Sequence, residues 1–293
     1  MTVAVITDST ACLTPDMAAR AGLTVVPIHV VIDGRSYRDG VDITSDEVAA
    51  ALSGGSVVST SKPTPQEFLA VYTAAAQAGA TEIVSVHVSA ALSGTYDSAR
   101  LAAREASVPV TVVDSHSIVM GLGFAAMTAA EAVYSGADAA RAAEAARLSA
   151  AESSVLFYVD TLEFLRRGGR IGKASAWLGG ALRVKPLLHV DDGVVAPLEK
   201  ARTANRAAST TPTRKSARTA NRALGRLTEL AVEAAADRPV RLAVQHLDAQ
   251  ERAEGMAARL RNKLHAEVVV CEVTAVMGVH VGPGVVAVSV APA

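Results

Sequence analysis

Hydroxyl side chains stand just before two helical windows of this chain, and a histidine stands before a Gly-Pro-Gly turn near its end. In Ser59-Thr-Ser-Lys-Pro-Thr-Pro-Gln-Glu67, Thr64, Pro65 and Glu67 have the pattern of a capping box with proline at the first helical position. Thr64 therefore has a structural role, while Thr60 and Ser61 remain free, beside a helix start, to cradle an anion. In Ser89-Ala-Ala-Leu-Ser-Gly-Thr-Tyr96 a strand gives way to a helix. Ser93 suits the N-cap, and its hydroxyl with the Gly94 amide also suits a carboxylate, because glycine lets a ligand approach the backbone closely. His280, in Gly278-Val-His-Val-Gly-Pro-Gly284 between β-rich runs, reads by itself as a hydrogen-bonded residue beside a strand. Joined to the hydroxyls, it completes a set that can satisfy a buried carboxylate or hold the neutral acid.

A fourth segment, residues 160–172, is rich in glycine and arginine, and Arg166, Arg167 and Arg170 make a local positive rim. It matches neither phosphate-binding fingerprint: Lys173 is not followed by Ser or Thr, and the dinucleotide spacing is absent. The chain has no G-x-S-x-G elbow and no H-E-x-x-H, and Ser59 with Lys62 forms an S-x-x-K without its companion motifs. Asp8-Ser-Thr10 and Asp114-Ser115 each follow a strand and read as turn and helix-start residues. A stand-alone acyl hydrolase or acyltransferase working through Ser93 and His280 is the rival reading, and the missing elbow argues against it.

The elements that must position these residues follow from pattern. At 293 residues the chain suits two domains. Short β-rich runs near 3–7, 24–32, 82–88 and 110–113 alternate with helical windows at 65–78, 94–106, 118–134 and 138–151, the rhythm of a parallel sheet. Later runs at 155–159, 182–190 and 194–199 include a tight-turn signal, Asp191-Asp-Gly193, which predicts antiparallel pairing. Strands at 240–245, 267–273 and 284–290 with a helix at 249–264 complete a mixed sheet. The expected fold is α/β: an N-terminal α/β/α domain over 1–155 with a mainly parallel sheet, and a C-terminal domain over 156–293 with a mixed or antiparallel sheet. Ala-Arg-Thr-Ala-Asn-Arg-Ala occurs at 201–207 and again at 217–223. On one helix that offset rotates the copies by about 160°, and the Thr-Pro between them should break the helix, so a duplicated surface insertion near 208–223 is expected.

Composition narrows the function. Half of the residues are hydrophobic, the net charge is -1 and aromatics are 3%, which disfavours nucleic acid despite the cations of 200–226 and calls for an aliphatic cavity wall. The two cysteines, Cys12 and Cys271, suggest neither a disulfide framework nor a zinc site, and the start lacks a signal peptide, so a cytoplasmic location is expected.

In order along the chain stand Ile6-Thr-Asp-Ser-Thr10, Asp39-Gly-Val-Asp42, Thr60-Ser61 before Pro63, and Leu92-Ser-Gly-Thr-Tyr96. Val113-Asp-Ser115 with Gly121-Leu-Gly123, Val159-Asp-Thr-Leu-Glu163 with Arg166-Arg-Gly-Gly-Arg-Ile-Gly172, and Lys185-Pro186 follow. Glu199-Lys200 with Arg202-Thr203, and His280 with Gly282-Pro-Gly284, close the set. This series resembles the DegV family, fatty-acid-binding proteins that in bacteria serve as carrier subunits of fatty acid kinase. The resemblance implies one long-chain fatty acid, its carboxyl held by Ser61 or Thr60, by Ser93 with the Gly94 amide, and by His280, with its tail inside the protein. It implies a partner kinase subunit that phosphorylates the carboxyl to an acyl phosphate, and in this chain no catalytic residue, cofactor or metal. Arg170 and Arg202 match positions near the head-group entrance, where the partner, the acyl phosphate or lipid phosphates at a membrane surface are the expected contacts. Lys62 stands where the family commonly has an amide side chain, and the duplication makes Arg218 a rival to Arg202.

Overall fold

Val3-Ala-Val-Ile6 opens the first of the β-rich runs, and the computed structural model, which describes residues 2–177, 185–201 and 212–293, arranges these runs in three sheets. The first half contains β1 (Val3–Asp8), α1 (Pro15–Arg20), β2 (Leu23–Val26), β3 (His29–Ile32), β4 (Arg35–Arg38) and α2 (Ser45–Ser53). It continues with β5 (Val58–Ser61), α3 (Pro65–Gln77), β6 (Glu82–His87), α4 (Thr95–Ala103), β7 (Val110–Asp114), α5 (Val119–Tyr134) and α6 (Ala139–Glu152). Strands β2-β1-β6-β7 form a wholly parallel sheet in that order. Its central residues Ile6, Ile83, Val84 and Val86 are fully or almost fully buried, as expected where helices cover both faces. Because β1 sits between β2 and β6, the connections leave it toward opposite sides. That reversal opens a crevice at the carboxyl ends of β1 and β6, the usual ligand position in such sheets.

The second half contains β8 (Ser154–Tyr158), α7 (Glu163–Arg167), β9 (Lys185–Asp191), β10 (Val194–Ala201), α8 (Pro212–Ala235) and β11 (Val240–His246). It ends with α9 (Gln250–Leu264), β12 (Val268–Glu272), α10 (Ala275–Val281) and β13 (Val286–Pro292). Six strands in the order β10-β9-β8-β13-β11-β12 form a mixed sheet in which β11 and β12 are the parallel pair. Asp192 and Gly193, at φ 48° and 76°, make the β9–β10 turn that the Asp-Gly signal predicts.

The chain therefore has two α/β domains, one with a parallel sheet and one with a mixed sheet, and α5 and α6 lie between the two sheets and pack against both. Helices α3 and α4 cover the far face of the first sheet, and α8 and α9 that of the second. This sandwiched position explains why α5 is apolar on nearly every side.

Three features differ from the sequence reading. The run 24–32 is not one strand: Pro27 cannot donate to a ladder, so the chain leaves the parallel sheet after β2 and starts β3 in a separate antiparallel sheet, β4-β3-β5. Val30 of the small sheet, Ile43, and Val48 of α2 pack against Ala275, Val276 and Val279 of α10, a helix in the stretch that the sequence reading leaves unassigned between the strands at 267–273 and 284–290. Finally, residues 212–223 are the first turns of α8 rather than a surface insertion. Pro212 is tolerated at the helix start, and Ala220, Ala223, Leu224, Leu227 and Ala231 form a buried stripe against the mixed sheet. The first copy of the repeat beyond Ala201 lies outside the described residues.

Candidate functional site

Strand β5 decides which of its two adjacent hydroxyls faces inward. Side chains alternate along a strand, and here Val58 and Thr60 are partly buried while Ser59 and Ser61 are exposed. Ser61 pairs opposite His29 on the outer face, where the His29 ring lies 2.8 Å from Glu67. Thr60 pairs opposite Val30 and turns toward α10, with its Oγ1 2.9 Å from Nε2 of His280. The sequence left Thr60 and Ser61 as alternatives; of the two, Thr60 lines the cavity described below.

His280 occupies the last turn of α10 rather than the side of a strand. Burial, and secondarily the nearby charge of Arg170, push its imidazole down to about 4, so at neutral pH the ring carries no charge. Its Nδ1 has no hydrogen-bond partner and faces Gly168; a Cβ at that position would lie 2.3 Å from it. Glycine at 168 thus sets how far the ring can reach back. Alanine there would push the imidazole toward Thr60.

Ser93 stands one residue before the N-cap of α4, which is Gly94. Its Oγ accepts a hydrogen bond from the Thr95 amide at 3.3 Å and lies 2.8 Å from Thr95 Oγ1. Gly94 offers no side-chain cap, so the amide end of α4 stays open beside the Ser93 hydroxyl. Arg170 fastens this loop to the second domain: its Nε donates to Leu92 O at 3.0 Å and its Nη1 to Gly168 O at 2.6 Å.

These groups meet at a cavity of about 140 Å³, on the order of ten water-sized volumes. Thr10, Thr60, Lys62, Ser93, Gly94, Arg170 and His280 line its polar part; Ile28, Val88, Leu92, Ile118, Leu165, Val276 and Met277 contribute aliphatic wall, and Phe157 is the single aromatic. Among the described residues no acidic side chain lines it. The cavity lies at the crevice end of β1 and β6, closed from the other domain by β8, α7 and α10. Of the sequence-predicted residues, Thr60, Ser93, Gly94, Arg170 and His280 come together here, and Ser61 stands outside. Arg202 and the Arg218 side chain lie outside the described residues. Ser93 and His280 are hydrogen-bonded to Thr95 and Thr60 respectively and not to each other, so no nucleophile–base pair is formed.

Behind the cavity runs a fully buried polar chain that sequence reading missed. Tyr72 donates to Ser85 Oγ at 3.0 Å, Ser85 lies 2.6 Å from His87 Nε2, and His87 Nδ1 lies 3.0 Å from Asp8 Oδ2. Asp8 also accepts from the Val88 and Thr10 amides, each at 3.0 Å, and from the Thr10 hydroxyl. Asp8 was read only as a turn residue. In fact it ties the ends of β1 and β6 together and orients Thr10 at the cavity wall. Asp8, Ser85 and His87 are all inaccessible to solvent, which makes this acid–base–hydroxyl set a structural device rather than a reactive one. A second buried carboxyl, Asp39, sits at the amide end of α10. Burial pushes it up to about 6 against the pull of the Ser9 and Thr274 hydroxyls and the first amides of the helix, and neither oxygen makes a hydrogen bond of good geometry.

Residues 2–293 match the family model described as an uncharacterised protein of the DegV family. A DegV domain-containing protein of Streptomyces coelicolor is 46% identical over 290 residues, covering 98% of each chain. Among solved structures, a fatty-acid-binding DegV family protein of Thermus thermophilus superposes with a TM-score of 0.82 at 34% identity over 100% of both chains. DegV of Bacillus subtilis, a fatty acid binding protein, gives 0.85 at 29% identity, again over 100% of both. With the parallel and mixed sheets, the interdomain cavity and an end-to-end sequence match in agreement, this chain belongs to the DegV family.

Proposed function

We propose that this protein binds one long-chain fatty acid in the interdomain cavity and presents its carboxyl group to a partner kinase for phosphorylation to an acyl phosphate. The observation that carries the binding reading is the lining itself: an aliphatic wall with hydroxyls, an open helix amide end and two cations, and no acidic side chain among the described residues. The fatty acid binding of the Thermus and Bacillus relatives supports it. Burial of about 14 methylenes at roughly 0.8 kcal/mol each amounts to about 11 kcal/mol before the cost of immobilisation, so the tail supplies affinity and the head supplies register.

At the head, the Thr60 and Ser93 hydroxyls and the Gly94 amide donate to the carboxylate. In the tautomer with its proton on Nε2, the uncharged His280 donates a hydrogen bond to Thr60 Oγ1 and so leaves the threonine hydroxyl free to donate to the ligand. The kinase step and any membrane contact rest on the family resemblance, which makes Arg170 and Arg202 the residues toward the partner. Native mass spectrometry of the protein purified from a lipid-containing host tests the binding reading: a complex heavier by one fatty acid is expected, and a protein that is empty and takes up no added fatty acid overturns it. Incubation of the loaded protein with ATP and a fatty acid kinase catalytic subunit tests the second half. Acyl phosphate is expected, and its absence with an active kinase rejects that role.

A further inference from the structure

Lys62 belongs to no hydrogen-bond or charge set described so far. It follows β5, is exposed, and lays its side chain across the start of α4, so that a Cβ on Gly94 would lie 2.8 Å from its Nζ and 2.9 Å from its Cδ. The ammonium therefore stands directly over the Ser93–Gly94 cradle and lines the cavity. Among the described residues no carboxylate pairs with it, and none lines the cavity beside it. The second cation of the wall, Arg170, spends its Nε and one Nη on the carbonyls of Leu92 and Gly168. A positive site without a counter-charge is thus held where the ligand's head group is expected.

We propose that Lys62 is a specificity-determining residue of this chain, which supplies the counter-charge for an ionised carboxylate and so selects the anionic acid over neutral heads on the same tail. The inference rests on the fatty-acid reading and deepens it. Its physical basis is a division of labour: hydroxyls and an amide donate to either an acid or an alcohol, whereas an ammonium distinguishes a full negative charge from none. His280 cannot do so at neutral pH, because its ring is uncharged there. Since Lys62 is exposed, its pairing should be modest and sensitive to salt.

The test compares palmitic acid with hexadecanol, each displacing an uncharged aliphatic fluorophore, in the wild-type protein and in Lys62→Met and Lys62→Arg. Lys62→Met should weaken palmitate about two- to fivefold and leave hexadecanol unchanged, and added salt should weaken palmitate in the wild type but not in this variant. Lys62→Arg should keep the preference for the acid. An unchanged ratio of palmitate to hexadecanol affinity in Lys62→Met overturns the role of Lys62 while leaving fatty-acid binding intact. If the wild type binds neither compound, the fatty-acid reading fails and this inference with it. Hexadecanol is the internal check on folding, because its binding requires the cavity but not the charge.

Discussion

Thr60 and Ser93 reach the cavity from different elements, a strand edge and the approach to a helix, and each has one protein partner and capacity to spare. Thr60→Val and Ser93→Ala should each weaken fatty-acid affinity by about 1–3 kcal/mol, because a buried carboxylate oxygen is left without its donor. Ser61→Ala, on the opposite face of β5, should leave it unchanged; the displacement titration described above reads all three. Titration of Asp39 and His280, which stand at the two ends of α10, gives a second prediction. His280 is held near 4 against an ordinary 6.5, so between those values the unfolded chain binds the proton, and its contribution is complete above 6.5 and lost as pH falls to 4. Asp39 is held near 6 against an ordinary 3.8, so the folded chain binds the proton, and its contribution is complete below 3.8 and lost as pH rises to 6. Each is worth at most roughly 3 kcal/mol, and the slopes oppose. Asp39→Asn should therefore lose stability on acidification from 6.5 to 4 more steeply than the wild type, and His280→Gln less steeply, as read from urea midpoints. Parallel profiles for all three proteins would refute the opposition.

At the scale of elements, a one-residue step along β5 exchanges the cavity face for the outer face, so the register of β3 against β5 is what assigns Thr60 inward. That register was not readable, because the small sheet was not recognised. Yet the signal was present: Asp33-Gly34, at φ 48° and 84°, makes the β3–β4 turn with the same residue pair that marked the β9–β10 hairpin. Pro27 just upstream marks the break between β2 and β3. Helix α10 escaped for a different reason: its seven residues include Val276, Val279 and Val281, β-branched side chains that give no helix signal between the expected strands at 267–273 and 284–290, and packing against α2 and the small sheet makes them helical. Helix α8 shows the opposite error, where a repeated motif suggested a surface duplication while the alanines and leucines of one face were core. Leu227→Ala should cost about 2–5 kcal/mol in urea unfolding, as for a buried leucine. A cost near zero would return this segment to the surface.

For the whole molecule, the shared α5–α6 layer joins the two sheets, and the cavity forms where their loops converge. Contacts across it are numerous and polar at the rim: Ser89 Oγ donates to Gly193 O at 2.8 Å, and Arg170 holds the Leu92 carbonyl. A ligand spanning this seam should stabilise both domains together. At a fatty-acid concentration about a hundred times Kd the expected gain is about 2.7 kcal/mol, a rise in Tm on the order of 5 °C as one transition. Under the proposed function Arg170→Ala should lower acyl phosphate formation by the partner more than fatty-acid affinity; equal losses would mean that it acts only by holding the loop. Sequence alone determined the α/β class, the parallel and mixed sheets, the Thr64 capping box and the set from which the cavity's polar residues are drawn. These rest on local periodicity, turn chemistry and residue type, which each short segment carries within itself. Only the tertiary structure decided that Thr60 rather than Ser61 faces inward, that His280 rides on a helix behind it, that Gly168 makes room for its ring, and that Lys62 overhangs Gly94. Those relations join residues from about 30 to over 200 positions apart, and they follow from register and packing between elements, which no local stretch of sequence specifies.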